Sequence, residues 1–231
     1  MKSRRQAAGT RGRSTLAALL LTAVTAVSGG CGAPEFEYVK NADDGVYFKV
    51  PNGWQRLTHE EMDGLLSGED PESAAAAARR ERIWSVGYDG DDSAQPLHLF
   101  LGLGDEPFVY VMVRRLSEAE VNAVSLNGAR DLLFPITPQA REDNAQNPIF
   151  QGFELISDEV LAAESGVRGA RTVFNYSPGG GALQTFVQTV YVDDVGGRLY
   201  QFILRCSATC YRLRAADLDA VVQSFTVRSP R

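Results

Sequence analysis

From Phe150 onward the chain alternates extended apolar runs with glycine-rich breaks, and this restricts its fold more than any other feature. Phe150 to Ile156, Arg168 to Tyr176, Leu183 to Val192 and Leu199 to Cys206 are rich in β-branched and aromatic residues, which pack well on a pleated surface. Ser177-Pro-Gly-Gly-Gly181 and Asp193-Asp-Val-Gly-Gly197 separate the last three runs. Connections this short join antiparallel neighbours, because a parallel crossover needs a dozen or more residues. Tyr200-Gln-Phe-Ile-Leu204 is nearly all apolar, the pattern of a central strand covered on both faces. Leu218, Val221 and Val222 then recur at helical spacing over Ala215 to Ser224, before a last extended piece, Phe225-Thr-Val227.

The first half supplies further strands and the helices to cover them. Folded sequence is expected to begin at Tyr38, with Asp43-Asp44-Gly45 as a turn and Val46 to Val50 as a strand. Thr58-His-Glu-Glu61 has the capping-box form and predicts a helix through Met62, Leu65 and Leu66, closed by Gly68. Asp70-Pro71 reads as the cap and first residue of an alanine-rich outer helix, with Arg79, Arg80 and Arg82 suiting its C-terminal dipole. Ile83 to Tyr88, Leu97 to Leu103 and Phe108 to Val113 read as strands. Ser117-Glu-Ala-Glu120 is a second capping box, opening one helix or two broken near Ser125 and ending before Pro135. Thr137 to Pro148 reads as a loop. The expectation is an α+β domain over 38–231, a mainly antiparallel sheet flanked by helices.

The opening thirty residues have a separate logic. Lys2, Arg4, Arg5, Arg11 and Arg13 make a basic leader without an acid, and Leu16 to Val27 is apolar. That apolar run is too short to span a hydrocarbon core as a helix, which takes about 20 residues. With Ser28-Gly-Gly-Cys31 after it, the stretch resembles a bacterial lipoprotein signal. The resemblance implies cleavage after Gly30, a diacylglyceryl thioether on Cys31, a short tether over 31–37, and a domain on the extracytoplasmic face of the cell membrane. Two acyl chains suffice for stable attachment. Small residues at Ser28 and Gly30 also suit the ordinary signal peptidase, which would leave Cys31 a free thiol. Arg4-Arg5 hints at twin-arginine export, but Gln6-Ala7-Ala8 lacks the apolar residues expected next, so Sec and Tat both stay open.

Charge excludes one class of partner. Taking the five basic leader residues from the 23 Lys+Arg leaves 18 against 29 Asp+Glu, a formal charge of −11. Nucleic acid and direct adhesion to anionic lipid both call for basic patches, so the lipid anchor is the expected membrane contact. Cys206 and Cys210 are expected to pair as a disulfide in an oxidising exterior. Their three-residue spacing is one longer than a redox dithiol, and a zinc site would have only His59 and His98 to add as histidines. No metal or other cofactor is expected.

No catalytic motif emerges. No serine has the Gly-x-Ser-x-Gly setting, and His59 lacks a His-Glu-x-x-His partner because residue 63 is Asp. His59 is assigned to a capping turn and His98 to a strand. Asp89 to Ser93 departs from a calcium loop at Ala94 and Phe100, and Gly102-Leu-Gly104 lacks the third glycine of a phosphate loop. The paired acids Asp43/Asp44, Glu60/Glu61, Asp91/Asp92 and Asp193/Asp194 fall in turns or caps, where acids serve local hydrogen bonds.

Asp44-Gly-Val-Tyr-Phe-Lys-Val-Pro-Asn-Gly-Trp54 near the start of the domain and Leu218-Asp-Ala-Val-Val-Gln-Ser-Phe-Thr-Val227 at its close together resemble the PsbP-like group. The resemblance implies an α/β/α sandwich in which Trp54 covers one end of the sheet and Phe225 locks the last helix. It also implies an accessory or binding role, since the group's namesake is an extrinsic subunit of a membrane-bound photosynthetic complex. The poly-alanine helix departs from that pattern. The leading functional expectation is a membrane-anchored, non-catalytic binding or accessory module with an envelope protein or lipid as partner. A carrier with an apolar cavity of about 300 Å³ or more and an enzyme with an unrecognised site are the alternatives.

Overall fold

The computed structural model describes residues 34–228, less 69, 71, 102–104, 194 and 196. The expected signal peptide, its cleavage site and Cys31 lie outside the described residues.

The chain opens with β1 (Phe36–Asn41), β2 (Val46–Pro51) and β3 (Gln55–Leu57), followed by α1 (His59–Ser67) and α2 (Ala74–Arg82). Next come β4 (Ile83–Asp89), the short α3 (His98–Leu101), β5 (Phe108–Arg115), α4 (Glu118–Ala123), α5 (Leu126–Arg130) and α6 (Pro138–Asp143). Four long strands then run consecutively: β6 (Glu154–Glu164), β7 (Val167–Tyr176), β8 (Gln184–Asp193) and β9 (Arg198–Ser207). The chain closes with α7 (Ala208–Leu213), α8 (Ala215–Ser224) and β10 (Thr226–Val227).

The strands form two antiparallel sheets, a small one ordered β1-β2-β10 and a seven-stranded one ordered β3-β4-β5-β9-β8-β7-β6. The small sheet joins the two ends of the domain. Its turn at Gly45 has φ +68°, and a Cβ there would lie 2.0 Å from the Arg228 carbonyl oxygen, so only glycine lets the last residues close on the first hairpin. Arg228 N–H donates back to the Gly45 carbonyl at 3.0 Å.

Period-two alternation in the central strands feeds two cores. Val109, Val111 and Val113 of β5 and Tyr200, Phe202 and Leu204 of β9 face Val46, Phe48 and Val50 of β2 and Leu218, Val221 and Val222 of α8. The opposite face carries Phe108, Tyr110, Met112 and Ile203, covered by Met62 of α1, Leu99 of α3, Ala129 of α5, and Phe134 and Ile136. Each large apolar side chain buried this way contributes about 1.5–3 kcal/mol. β9 sits between β5 and β8 and is buried along nearly its whole length, as its apolar sequence predicts. Trp54 packs partly buried against the first core, and the Phe225 ring lies 5.1 Å from that of Phe202. Cys206 at the end of β9 and Cys210 in α7 are bonded through sulfur, with Cα atoms 5.9 Å apart.

Several local expectations are corrected. The described part of the expected Leu97 to Leu103 strand, 97–101, is turn and helix instead, and 102–103 lie outside the described residues. Backbone bonds from His98 to Gln95 and from Leu99 to Pro96 open the turn of α3, and buried Leu99 anchors it in the second core. α2 starts at Ala74 with Ser73 as its cap, while Asp70 accepts from the Glu72 N–H in the preceding turn. The stretch after Thr137 contains α6, with Thr137 capping Ala140 N–H and Pro138 in the first turn. Phe150 ends a 3-10 turn, and the strand that follows begins at Glu154 and extends to Glu164. β1 begins at Phe36, two residues before Tyr38. The helical segment after Ser117 does break near Ser125, which caps α5.

Candidate functional site

A surface cleft of about 290 Å³ opens where β4 begins and β5 ends. Asn41, Asp43 and Asp44 of the β1–β2 turn form one side, and His59 and Glu60 of α1 and Arg80 of α2 form another. Ile83 and Trp84 of β4 and Arg115 of β5 complete it. Five elements each contribute one to three residues, so no single stretch of sequence announces the cleft.

Asp44 organises its charge. The residue is only 2% exposed and accepts from Arg115 Nη2 at 3.0 and 3.2 Å, Arg198 Nε at 3.2 Å and Asn41 Nδ2 at 3.0 Å. A carboxylate buried this deeply is tolerable because two guanidinium groups compensate it. The sequence assigns Asp44 to local turn bonding. The fold instead uses it to join the first hairpin to β5 and β9.

A second arginine cluster lies beside the first. Arg82 and Arg114 both donate to Glu120, and Arg82 also donates to the Arg115 carbonyl at 3.1 and 3.2 Å. Hydrogen bonds from the Ser117 hydroxyl and N–H, with the arginines adding to them, hold the Glu120 carboxyl down at about 2. Arg79 pairs with Asp63 of α1 at 2.7 Å. The basic end of α2 thus contacts α1 and α4 through ion pairs and β5 through a backbone carbonyl, beyond the solvated face its composition suggests.

The two histidines occupy different places. His59 Nδ1 lies 2.7 Å from Ser85 Oγ on β4, while His98 Nδ1 lies 2.6 Å from Asp89 Oδ2 at the far end of that strand. Four residues of strand separate the two anchors by roughly 13 Å. Ser85 is 4% exposed, and among the described residues His59 Nε2 meets no hydrogen-bond partner, so the acid that orients the imidazole in a Ser-His-Asp relay has no counterpart among them. Ser85 also bonds the Tyr110 hydroxyl, and burial pushes that phenol above its usual range.

His98 is buried in helical α3, contrary to its expected place in a strand. It shares Asp89 with the N–H groups of Asp91 and Gln95, which fixes the 90–97 loop. Arg205, 2% exposed, donates to Gln184 at 3.3 Å. Burial lowers its guanidinium to about 10, with Asp89 opposing the shift. This is an internal brace. Among the described residues no group of three His, Cys, Asp or Glu is arranged to hold a metal ion, and no helix is long and apolar enough to cross a membrane.

Two cores on either side of an antiparallel sheet make this an α/β/α sandwich of the PsbP-like kind. The solved structures similar to it include the cyanobacterial PsbP protein CyanoP from Synechocystis sp. PCC 6803, at 16% identity and a TM-score of 0.51 over 86% of this chain and 96% of that one. LpqN of Mycobacterium tuberculosis, described as involved in cell envelope biogenesis, is 17% identical with a TM-score of 0.43, over 84% of this chain and 91% of that one. The Ran-binding protein Mog1p of Saccharomyces cerevisiae is 12% identical with a TM-score of 0.40, over 84% and 96%. No protein-family model and no curated protein sequence matches the chain.

Proposed function

We propose that the chain is a non-catalytic binding or accessory module of the cell envelope, held at the extracytoplasmic membrane surface by lipid on Cys31. The observation that carries the binding role is the cleft around Asp44. Asp44 and Arg115 are fixed in place there by ion pairs, and Trp84 lies beside them. A rigid mixed-charge hollow with an aromatic wall suits recognition of a protein surface, where tryptophan and arginine contribute most. The PsbP-like fold agrees with this reading by analogy alone.

The interior argues against carriage. Phe134 lies within 4.5–6.4 Å, ring to ring, of Phe186, Phe174, Phe100, Phe150 and Tyr176. These rings fill the space between sheet and helices where an acyl chain would sit.

Four residues separate Cys31 from β1, at most about 14 Å of extended chain. The anchored domain would therefore stay close to the bilayer, within reach of other membrane proteins. A photo-cross-linking residue in place of Trp84, in the lipid-anchored chain in its own membrane, should give one discrete protein adduct, weakened by an added Arg80→Glu substitution. A ladder of unrelated adducts, or one unchanged by Arg80→Glu, would contradict the cleft as the binding site.

A further inference from the structure

The outer edge of the main sheet is a second surface, separate from the cleft. Among the described residues β6 pairs with β7 alone, so its other edge presents backbone N–H and C=O groups with no strand beside them. Ten of its eleven residues are exposed. Leu155, Ile156 and Val160 are 50%, 53% and 67% exposed, an apolar load that edge strands ordinarily avoid. Register shifts near Ile156 and between Leu161 and Glu164 bracket Ser157 to Leu161, which pairs residue for residue with β7.

Charge selects the partner. β6 carries Glu154, Asp158, Glu159 and Glu164 and no lysine or arginine. Glu154 accepts from Asn175, and Asp158 from Arg130 and Thr172. The Glu159 and Glu164 side chains make no hydrogen bond or ion pair among the described residues, with Arg171 of β7 opposite Glu159 in register. A second copy added antiparallel would set acids against acids, which destabilises a strand pair. At the Glu164 end a hollow of about 200 Å³ is lined in part by Glu164, Val167, Tyr191, Phe225 and Arg228, so it carries both signs of charge, and selection for a basic partner rests on the acids along the strand itself.

We propose that β6 is a docking edge that receives an extended, lysine- or arginine-bearing segment of another protein as an added strand along Ser157 to Leu161. Main-chain bonds supply affinity in such an arrangement, and flanking side chains supply selectivity. The proposal deepens the binding reading but uses a different surface, so either can fail without the other.

The probe is a fluorescent eight-residue peptide alternating lysine and valine, with a glutamate–valine peptide as its counterpart, titrated into the mature chain. The lysine–valine peptide should bind more weakly as salt rises and should slow amide exchange at residues 157–161. Glu159→Lys combined with Glu164→Lys should cut its affinity about tenfold and admit the glutamate–valine peptide instead. Gain of the opposite peptide also shows that the doubly substituted chain is folded. The proposal is overturned if the lysine–valine peptide does not bind, if it binds without protecting 157–161, if the charge reversal leaves affinity unchanged, or if sedimentation shows β6 occupied by a second copy.

Discussion

Asp44 shows how one side chain can serve both fold and site. It lies under the β1–β2 turn and accepts from Arg115 and Arg198, which come from neighbouring strands of the main sheet. Asp44→Ala would leave two guanidinium groups facing each other around a void. Removing one partner of a buried pair costs about 3–5 kcal/mol, and the half-exposed Arg115 side chain moderates that toward the lower figure. Urea unfolding should therefore show a loss of about 3 kcal/mol for Asp44→Ala, against roughly 1 kcal/mol for Arg115→Ala, which leaves Arg198 on the carboxylate. Equal losses would mean that Arg198 does not compensate Asp44 as the geometry indicates.

Among the elements, α4 depends most visibly on a titrating group. Glu120 closes the capping box with Ser117 and receives Arg82 and Arg114. Its folded pKa lies well below the ordinary carboxylate value, at about 2. The stabilisation is thus complete above the ordinary carboxylate range and is lost as pH falls from about 4.5 through 2. Glu120→Gln should be less stable than the parent at neutral pH, with the difference closing across that window in acid unfolding curves. A gap that persists unchanged at pH 2 would assign the effect to packing.

The same capping box was legible from Ser117 and Glu120 three residues apart, as was that of α1 from Thr58 and Glu61. These motifs act within one turn, so sequence displays them whole. Strands β7, β8 and β9 were legible for a similar reason, since composition and glycine breaks are local. α3 was not. Leu97 to Leu103 has a strand's composition, but Leu99 is buried in the second core and His98 is held by Asp89. The far half of β6 was missed because its acids and alanines favour helix, and pairing with β7 overrides that preference. The cleft was illegible because Asp44, Trp84 and Arg115 meet only after the hairpin folds onto β4 and β5.

At the scale of the domain, β1, β2 and β10 join the first and last described strands, and two cores fill the sandwich on both sides of its main sheet, so the candidate binding sites are on its surfaces. One surface is the fixed-charge cleft at the start of β4; the other is the acidic edge of β6. If lipid on Cys31 holds the domain close to a membrane, as proposed, both surfaces would meet partners confined to the same thin layer, where effective concentrations rise. The central claim is the attachment itself. Its most direct test is the intact mass of the mature chain extracted from its own membrane, beside a Cys31→Ser variant. The wild-type chain should begin at Cys31, carry the mass of a diacylglyceryl group and stay with the membrane, while Cys31→Ser should lack that mass and be released. A wild-type chain without added mass, or a Cys31→Ser chain that remains membrane-bound, would contradict it.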